Sequence, residues 1–319
     1  MEENLPEFVQ PLGHGVYAID TGFQRPRFDA AYLVVERGHA AFIDTGTNFA
    51  LPRHLAALEA LGISRDAVDW VIPTHVHLDH AGGSGVLMRE LPRATLLVHP
   101  RGARHLVDPS ALYAGALEVY GAAEMERSYG ELVGVDPARV RASVDGETVD
   151  LVGRSLEIAD TPGHARHHHC IWDATSRGWF TGDTFGLSYR EFDTPRGAFA
   201  LPTTTPVQFE PEPLKASIAR LVARDPAQVF VTHYGRVGDP RRVGADLVEL
   251  VDAMVAIARR LKDRADRQAA LEAALGDLYV ERAAAHGVAF DAPTVRRLLD
   301  VDIRLNAQGI GVWLDRGGR

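Results

Sequence analysis

Two periods of apolar residues run along this chain, and the change from one to the other sets its organisation. Residues 15–20 (GVYAID), 31–36 (AYLVVE) and 40–44 (AAFID) are short, rich in β-branched and aromatic side chains, and bounded by turn residues. They predict an opening antiparallel meander whose last two strands join at Arg37-Gly38-His39. Leu51, Leu55, Leu58 and Leu61 then recur at helical spacing over residues 50–61, and Gly62 ends that helix. A strand follows at 68–72, with Pro73 stopping further pairing, then a helix at 84–90 ahead of Pro92 and a strand at 95–99. From about 101 to 140 the pattern is helical, with Tyr113, Tyr120, Met125 and Tyr129 in it. It reads as a helical insertion near a site mouth, or as packing helices on one face.

Strands resume at 147–149, 155–159, 169–172 and 179–181, the last two forming a hairpin around 175–178. A loop from 185 to 213 carries proline, threonine and aromatic residues, and connections of that length are usually functional or disordered. A helix at 214–223 and a buried strand at 229–232 close this part. After Gly238-Asp239-Pro240 the composition shifts to helix formers across 243–286, with a further helix at 293–307 and a short apolar end at 310–314. The pattern gives mixed α and β structure over residues 1–239 and a helical extension over 240–319, suited to packing or to a homodimer.

Composition narrows the function. The net charge of −9 disfavours binding to a nucleic-acid backbone. Cys170 is the single cysteine, so no disulfide forms within the chain. The acidic start MEENLPEFVQPLG lacks the apolar segment of a secretory signal, and no apolar run reaches 18 residues. A cytoplasmic location, a small-molecule substrate, and neither membrane nor nucleic acid as partner are the expectations.

The chemistry concentrates at 74–83, THVHLDHAGG, where His75, His77, Asp79 and His80 fall within six residues just after a strand. Side chains alternate along an extended chain, so His75, His77 and Asp79 tend to one side. His80 needs a turn to join them, which Ala81, Gly82 and Gly83 permit. Imidazole nitrogens and carboxylate oxygens suit zinc, iron or manganese. Three more clusters follow predicted strands: DTPGHARHHHC at 160–170, with His164 after a Thr-Pro-Gly turn; Thr181-Gly182-Asp183-Thr184; and Thr232-His233-Tyr234-Gly235. One histidine at a strand end is more often a satisfied polar group. Four such clusters at four strand ends fit one site at a common edge.

THVHLDHAGG resembles the HxHxDH signature of the metallo-β-lactamase fold hydrolases, which include glyoxalase II and the lactonases; the likeness runs from about Val16 to Gly235. It implies an α/β fold, a four-layer αββα sandwich, here with a C-terminal helical extension. It also implies two divalent metal ions, zinc ahead of iron or manganese. His75, His77 and His164 would hold the first, Asp79, His80 and His233 the second, and Asp183 would bridge them. A bridging hydroxide oriented by Asp79 would then attack an ester, thioester, lactone or phosphoester. Asp44 matches a superfamily aspartate that supports the ligand loop, and His167 or His168 matches a supporting histidine in a GHAxHH pattern. His169 reads as the start of a strand, His99 and His105 as structural, and His14, His39, His54 and His286 as surface positions. Cys170 reads as a small core residue. Tyr189, Arg190, Phe192 and Phe199, in the loop after Asp183, are candidates for substrate contact; the simpler reading is a loop packed on its own aromatics.

A β-lactamase is disfavoured, since some of that group carry cysteine where Asp183 stands and most are secreted. The alternative is an iron-dependent oxidoreductase of the same fold. It would be either a persulfide dioxygenase, with iron on His75, His164 and Asp183, or a flavodiiron relative; no flavodoxin-like segment is visible, which argues against the latter. A nuclease would bring an RNA-gripping arm or a second catalytic domain, and neither is visible.

Overall fold

The computed structural model describes residues 5–204 and 208–318. The first four residues of the acidic start and residues 205–207 of the long loop lie outside that set. The chain divides into two compact units. The first comprises Met1–Asp160, His167–Gly182 and Phe230–Arg236.

A seven-stranded sheet runs in the order β1 (Val9–Gly13), β2 (Val16–Asp20), β3 (Ala30–Glu36), β4 (His39–Ile43), β5 (Val68–Ile72), β6 (Thr95–Val98) and β7 (Val140–Ala142). Pairing is antiparallel as far as β4 and parallel from β4 to β7. Parallel neighbours need crossovers. These are α1 (Leu51–Ala60), then α2 (Leu78–Ala81) with α3 (Ser84–Glu90), then α4 (Pro100–Val107), α5 (Ser110–Tyr120) and α6 (Ala122–Ser128). A six-stranded sheet has the order β13 (Gly235–Gly238), β12 (Gln228–Val231), β11 (Gly178–Gly182), β10 (His169–Asp173), β9 (Arg154–Asp160) and β8 (Thr148–Leu151).

Alternation along the strands makes two cores. Tyr32, Val34 and Ile43 of the first sheet pack with Leu156, Ile158, Ile171, Phe180 and Phe230 of the second. The Tyr32 ring lies 5.3 Å from Phe180 and 5.7 Å from Phe230. Leu33 and Phe42 point the other way and meet Ala57 and Leu58 of α1 and Leu87 and Met88 of α3. β3 and β4 are therefore apolar on both faces, and each large aliphatic side chain buried this way contributes about 1.5–3 kcal/mol.

The second unit comprises Thr161–Arg166, Asp183–Val229 and Val237–Arg319. It holds α7 (Pro211–Ala223), α8 (Pro240–Leu261), α9 (Arg267–His286), α10 (Ala292–Leu298) and α11 (Asp300–Asp315). Leu214, Ile218, Leu247, Val251, Leu275, Tyr279 and Ile310 are among its buried side chains. Gly244 lets α8 lie close on α7, because a Cβ there would sit 2.8 Å from Cγ2 of Val222.

Several elements depart from the sequence pattern. β1 precedes the expected meander, hidden in VQPLG by a proline and by a burial pattern that does not alternate, with Gln10, Pro11 and Gly13 exposed. β13 is a four-residue GRVG strand that no propensity marks. The helical run 243–286 is two helices, broken over 262–266 (KDRAD), where Ala265 is the one apolar residue and a continued helix would have no face to bury. The apolar end at 310–314 is the last part of α11 rather than a separate segment. His54, expected at the surface, is 1% exposed on the inward face of α1 with Ala57 and Leu58. Its Nε2–H donates to the Thr45 carbonyl at 2.8 Å and its ring meets Phe42 edge-on. Among the described residues no helix is long and apolar enough to cross a membrane.

Burial pushes the His54 imidazole down to about 4. The unfolded chain therefore takes up a proton that the folded chain refuses, so this contribution to stability is complete above the ordinary histidine pKa and is lost as pH falls toward 4. Between pH 7 and 4 the wild type should lose on the order of 2–3 kcal/mol more unfolding free energy than His54→Gln, read from urea melts at each pH. Parallel pH profiles would contradict this.

Candidate metal centre

The site begins with Asp44, which follows β4 in a left-handed conformation (φ 57°) and is 1% exposed. Its Oδ1 accepts from the Thr74 backbone N–H at 2.7 Å and from the Thr74 hydroxyl at 2.9 Å. Its Oδ2 accepts from the Thr232 hydroxyl at 2.8 Å and from His80 Nδ1 at 2.9 Å. One buried carboxylate thus ties the chain beyond β4 to the ends of β5 and β12 and to α2. Donors on both oxygens offset the cost of taking the charge out of water.

The turn the sequence required at His80 is α2, which starts from an extended His77 (ψ 152°) and carries Asp79 in its first turn. Gly83 makes that turn possible, since a Cβ there would lie 2.7 Å from the Thr47 carbonyl oxygen and 2.9 Å from that of Thr45. Gly182, with φ +47°, serves β11 in the same way: a side chain would strike the Thr74 hydroxyl at 2.5 Å and His168 Nε2 at 2.6 Å.

Three histidines share one arrangement, with Nδ1 bound back to the protein and Nε2 turned toward a carboxylate. His80 gives Nδ1–H to Asp44, and its Nε2 is 3.8 Å from Asp79 Oδ2. His233 gives Nδ1–H to the Phe28 carbonyl at 3.1 Å, with Nε2 3.5 Å from Asp79 Oδ2. His164 has Nδ1 3.1 Å from the Thr203 hydroxyl and 3.3 Å from its carbonyl, with Nε2 3.2 Å from Asp183 Oδ2. Such anchoring fixes the tautomer and leaves the Nε2 lone pair for a cation. His75 Nδ1 lies 3.2 Å from the Thr74 hydroxyl, and its Nε2 is 2.8 Å from His77 Nδ1.

The donor atoms of His75, His77, His164 and Asp183 lie within 4.8 Å of one another, and so do those of Asp79, His80 and His233. All seven residues singled out as ligands therefore fall into two groups. His77 and Asp79 are half-buried and the other five are buried. Five imidazoles and two carboxylates fit divalent zinc, iron or manganese.

His167 and His168 pack against His77 and His75. The His168 ring stacks 4.8 Å from His75, and His167 meets His77 edge-on at 5.4 Å while accepting the Val76 N–H. His169 opens β10 and props the neighbouring strand end, its Nε2–H and backbone N–H donating to the carbonyls of Pro73 and Thr74. Burial pushes its pKa to about 3. His99 lies 3.2 Å from Asp160.

The loop residues proposed for substrate contact have packing partners. Tyr189 and Phe192 are each 1% exposed. The Tyr189 hydroxyl donates to Asp302, Phe192 stacks on Phe199, and Arg190 donates to the Ser188 carbonyl and hydroxyl.

Asp29 escaped the sequence reading. It is fully buried, accepts the Thr21 hydroxyl at 2.5 Å, and has Oδ1 4.0 Å from His233 Nδ1. Burial pushes its carboxyl up to about 7 against the pull of His233 and His80. Its one signal is an acidic residue directly ahead of the apolar strand β3, much as Asp44 directly follows β4.

The family model described as Metallo-beta-lactamase superfamily matches residues 24–233. The chain is 27% identical over 228 residues to the metallo-beta-lactamase fold-containing protein ST1585 of Sulfurisphaera tokodaii, covering 70% of this chain and 79% of that one. The crystal structure of ST1585 superposes with a TM-score of 0.65 over 93% of this chain and 98% of that one, at 22% identity. A hydroxyacylglutathione hydrolase of Acidiphilium cryptum is 29% identical over 204 residues, 63% of this chain and 62% of the relative. The type A flavoprotein fprA of Rhodobacter capsulatus is 29% identical over 196 residues, 58% of this chain and 40% of the flavoprotein. The two sheets, their flanking helices and these likenesses make the fold an α/β sandwich with C-terminal helices.

Because Asp44 carries several donors at once, Asp44→Asn should lower the unfolding free energy of the metal-stripped protein by about 3–5 kcal/mol in a denaturant titration. A change below about 1 kcal/mol would mean the carboxylate does not hold these strand ends together.

Proposed function

The chain belongs to the metallo-beta-lactamase superfamily, and on that footing we propose that it is a hydrolase using a pair of divalent metal ions, zinc first, on a small-molecule ester, thioester, lactone or phosphoester. The observation that carries this is the double donor group with its histidine tautomers already set. His75, His77, His164 and Asp183 would hold one ion and Asp79, His80 and His233 the other, with Asp183 shared between them. When bound, such a pair supplies Lewis acidity and a water whose pKa falls toward ~7.

The remaining work falls to the protein. Asp79 is the carboxylate with a quarter of its side chain exposed, so its Oδ atoms are placed to orient the attacking water and take its proton. His80 and His233 place their Nε2 atoms 3.8 and 3.5 Å from Asp79 Oδ2, so the three donors would face the same ion. Leu78, which directly precedes Asp79, is buried in an apolar cluster with Met125 and Tyr129. The likeness to a hydroxyacylglutathione hydrolase supports hydrolysis. The likeness to a type A flavoprotein, and a donor set that also suits iron, support a second reading as an iron-dependent oxidoreductase.

Metal quantification together with a hydrolase panel and an oxygen electrode separates the two. About two zinc ions per chain with hydrolysis of one ester class is the expected result. One iron per chain with oxygen uptake on a persulfide would overturn it. His77→Ala should fold, lose most of its metal and lose most turnover; full activity with both ions retained would contradict the ligand assignment. Affinity for metal should fall as pH drops, since protons compete for the imidazoles.

A further inference from the structure

In the second unit, hydrogen bonds from α11 to residues 202 and 204, and from Thr203 between them, lead to His164. Asn306 is 2% exposed in the middle of α11. Its Nδ2 donates to the Pro202 carbonyl at 3.0 Å and to the Tyr279 hydroxyl at 2.8 Å. Its Oδ1 accepts the Thr204 backbone N–H at 2.7 Å, and its backbone carbonyl accepts the Thr204 hydroxyl at 3.2 Å. One side chain thus grips the backbone on both sides of Thr203. Thr203 in turn passes the constraint on: its hydroxyl donates to the Asp183 carbonyl at 3.3 Å and, with its own carbonyl, receives His164 Nδ1–H.

We infer that Asn306 is a positioning residue for His164, acting through Thr203, and that the C-terminal helices thereby tune the affinity of the metal centre. This rests on the reading of His164 as a ligand. Residues 199–204 run without regular structure apart from the bridge at Leu201, so nothing local fixes the direction of Thr203. A buried amide whose donors and acceptor are all committed to neighbouring groups does fix it, because leaving any of them unpaired carries a desolvation cost. Polar partners one step removed from a ligand typically change metal affinity 10–100-fold.

The test uses the full-length chain, zinc and cobalt, a competing chelator, and thermal melts of the metal-stripped protein. Thr203→Val should weaken metal binding about 10–100-fold, Asn306→Ala should weaken it by no more than that, and each should shift the visible absorption of the cobalt form, while Thr203→Ser restores both. The double variant should bind no more weakly than the weaker single, since the two act along one path. Leu275→Ala, which empties part of the same helical core, should lower the melting temperature without changing affinity. The inference is overturned if Asn306→Ala lowers only the melting temperature, or if the two affinity losses multiply. If Asn306→Ala does not fold, the Thr203 variants carry the same test. His164→Ala in the same titration keeps the two failures apart: unchanged binding there would sink the ligand reading itself, whereas weakened binding there with no effect at Asn306 sinks this inference alone.

Discussion

The buried Asp44 carboxylate is the constraint on which the site depends. A charge held at 1% exposure is tolerable only while its oxygens are occupied, and here they are filled by Thr74, Thr232 and His80. Three segments far apart in sequence are thereby required to end at one place. The left-handed backbone at Asp44 is part of the same demand, because the chain must turn sharply after β4 to aim the carboxylate back at the strand ends.

The histidines follow from that frame. Each has its Nδ1 committed to a different kind of acceptor: a carboxylate for His80, a backbone carbonyl for His233, and a threonine with its carbonyl for His164. The three environments differ in charge, so the donors need not respond alike when a neighbour changes. His80 is bound to a rigid carboxylate; His164 depends on a loop that needs support from α11.

How much could be read from residues alone depended on whether the signal was local. β3 and β4 were legible because both faces are buried and their runs are almost wholly apolar, and β5 because Val68, Val71 and Ile72 are buried just ahead of Pro73. The seven side chains that the fold gathers into two groups stand out in the sequence because each cluster follows a strand and sits beside glycine or proline. Asp44 was legible through its likeness to a superfamily aspartate. Asp29 and Asn306 were not: each looks like an ordinary polar residue until the fold buries it, and burial is set by distant segments. His54 reads as a surface residue for the same reason, since its place on the inward face of α1 is set by the packing of Ala57 and Leu58. The break between α8 and α9 was missed because charged residues allow a helix and a turn alike, and packing decides between them.

Anomalous diffraction at the zinc edge from crystals of the zinc-loaded protein tests the central claim most directly. Two peaks about 3.5–4 Å apart are expected, one within bonding distance of His75, His77 and His164, the other of Asp79, His80 and His233, with Asp183 reaching both. A single peak, or peaks away from these side chains, would contradict it.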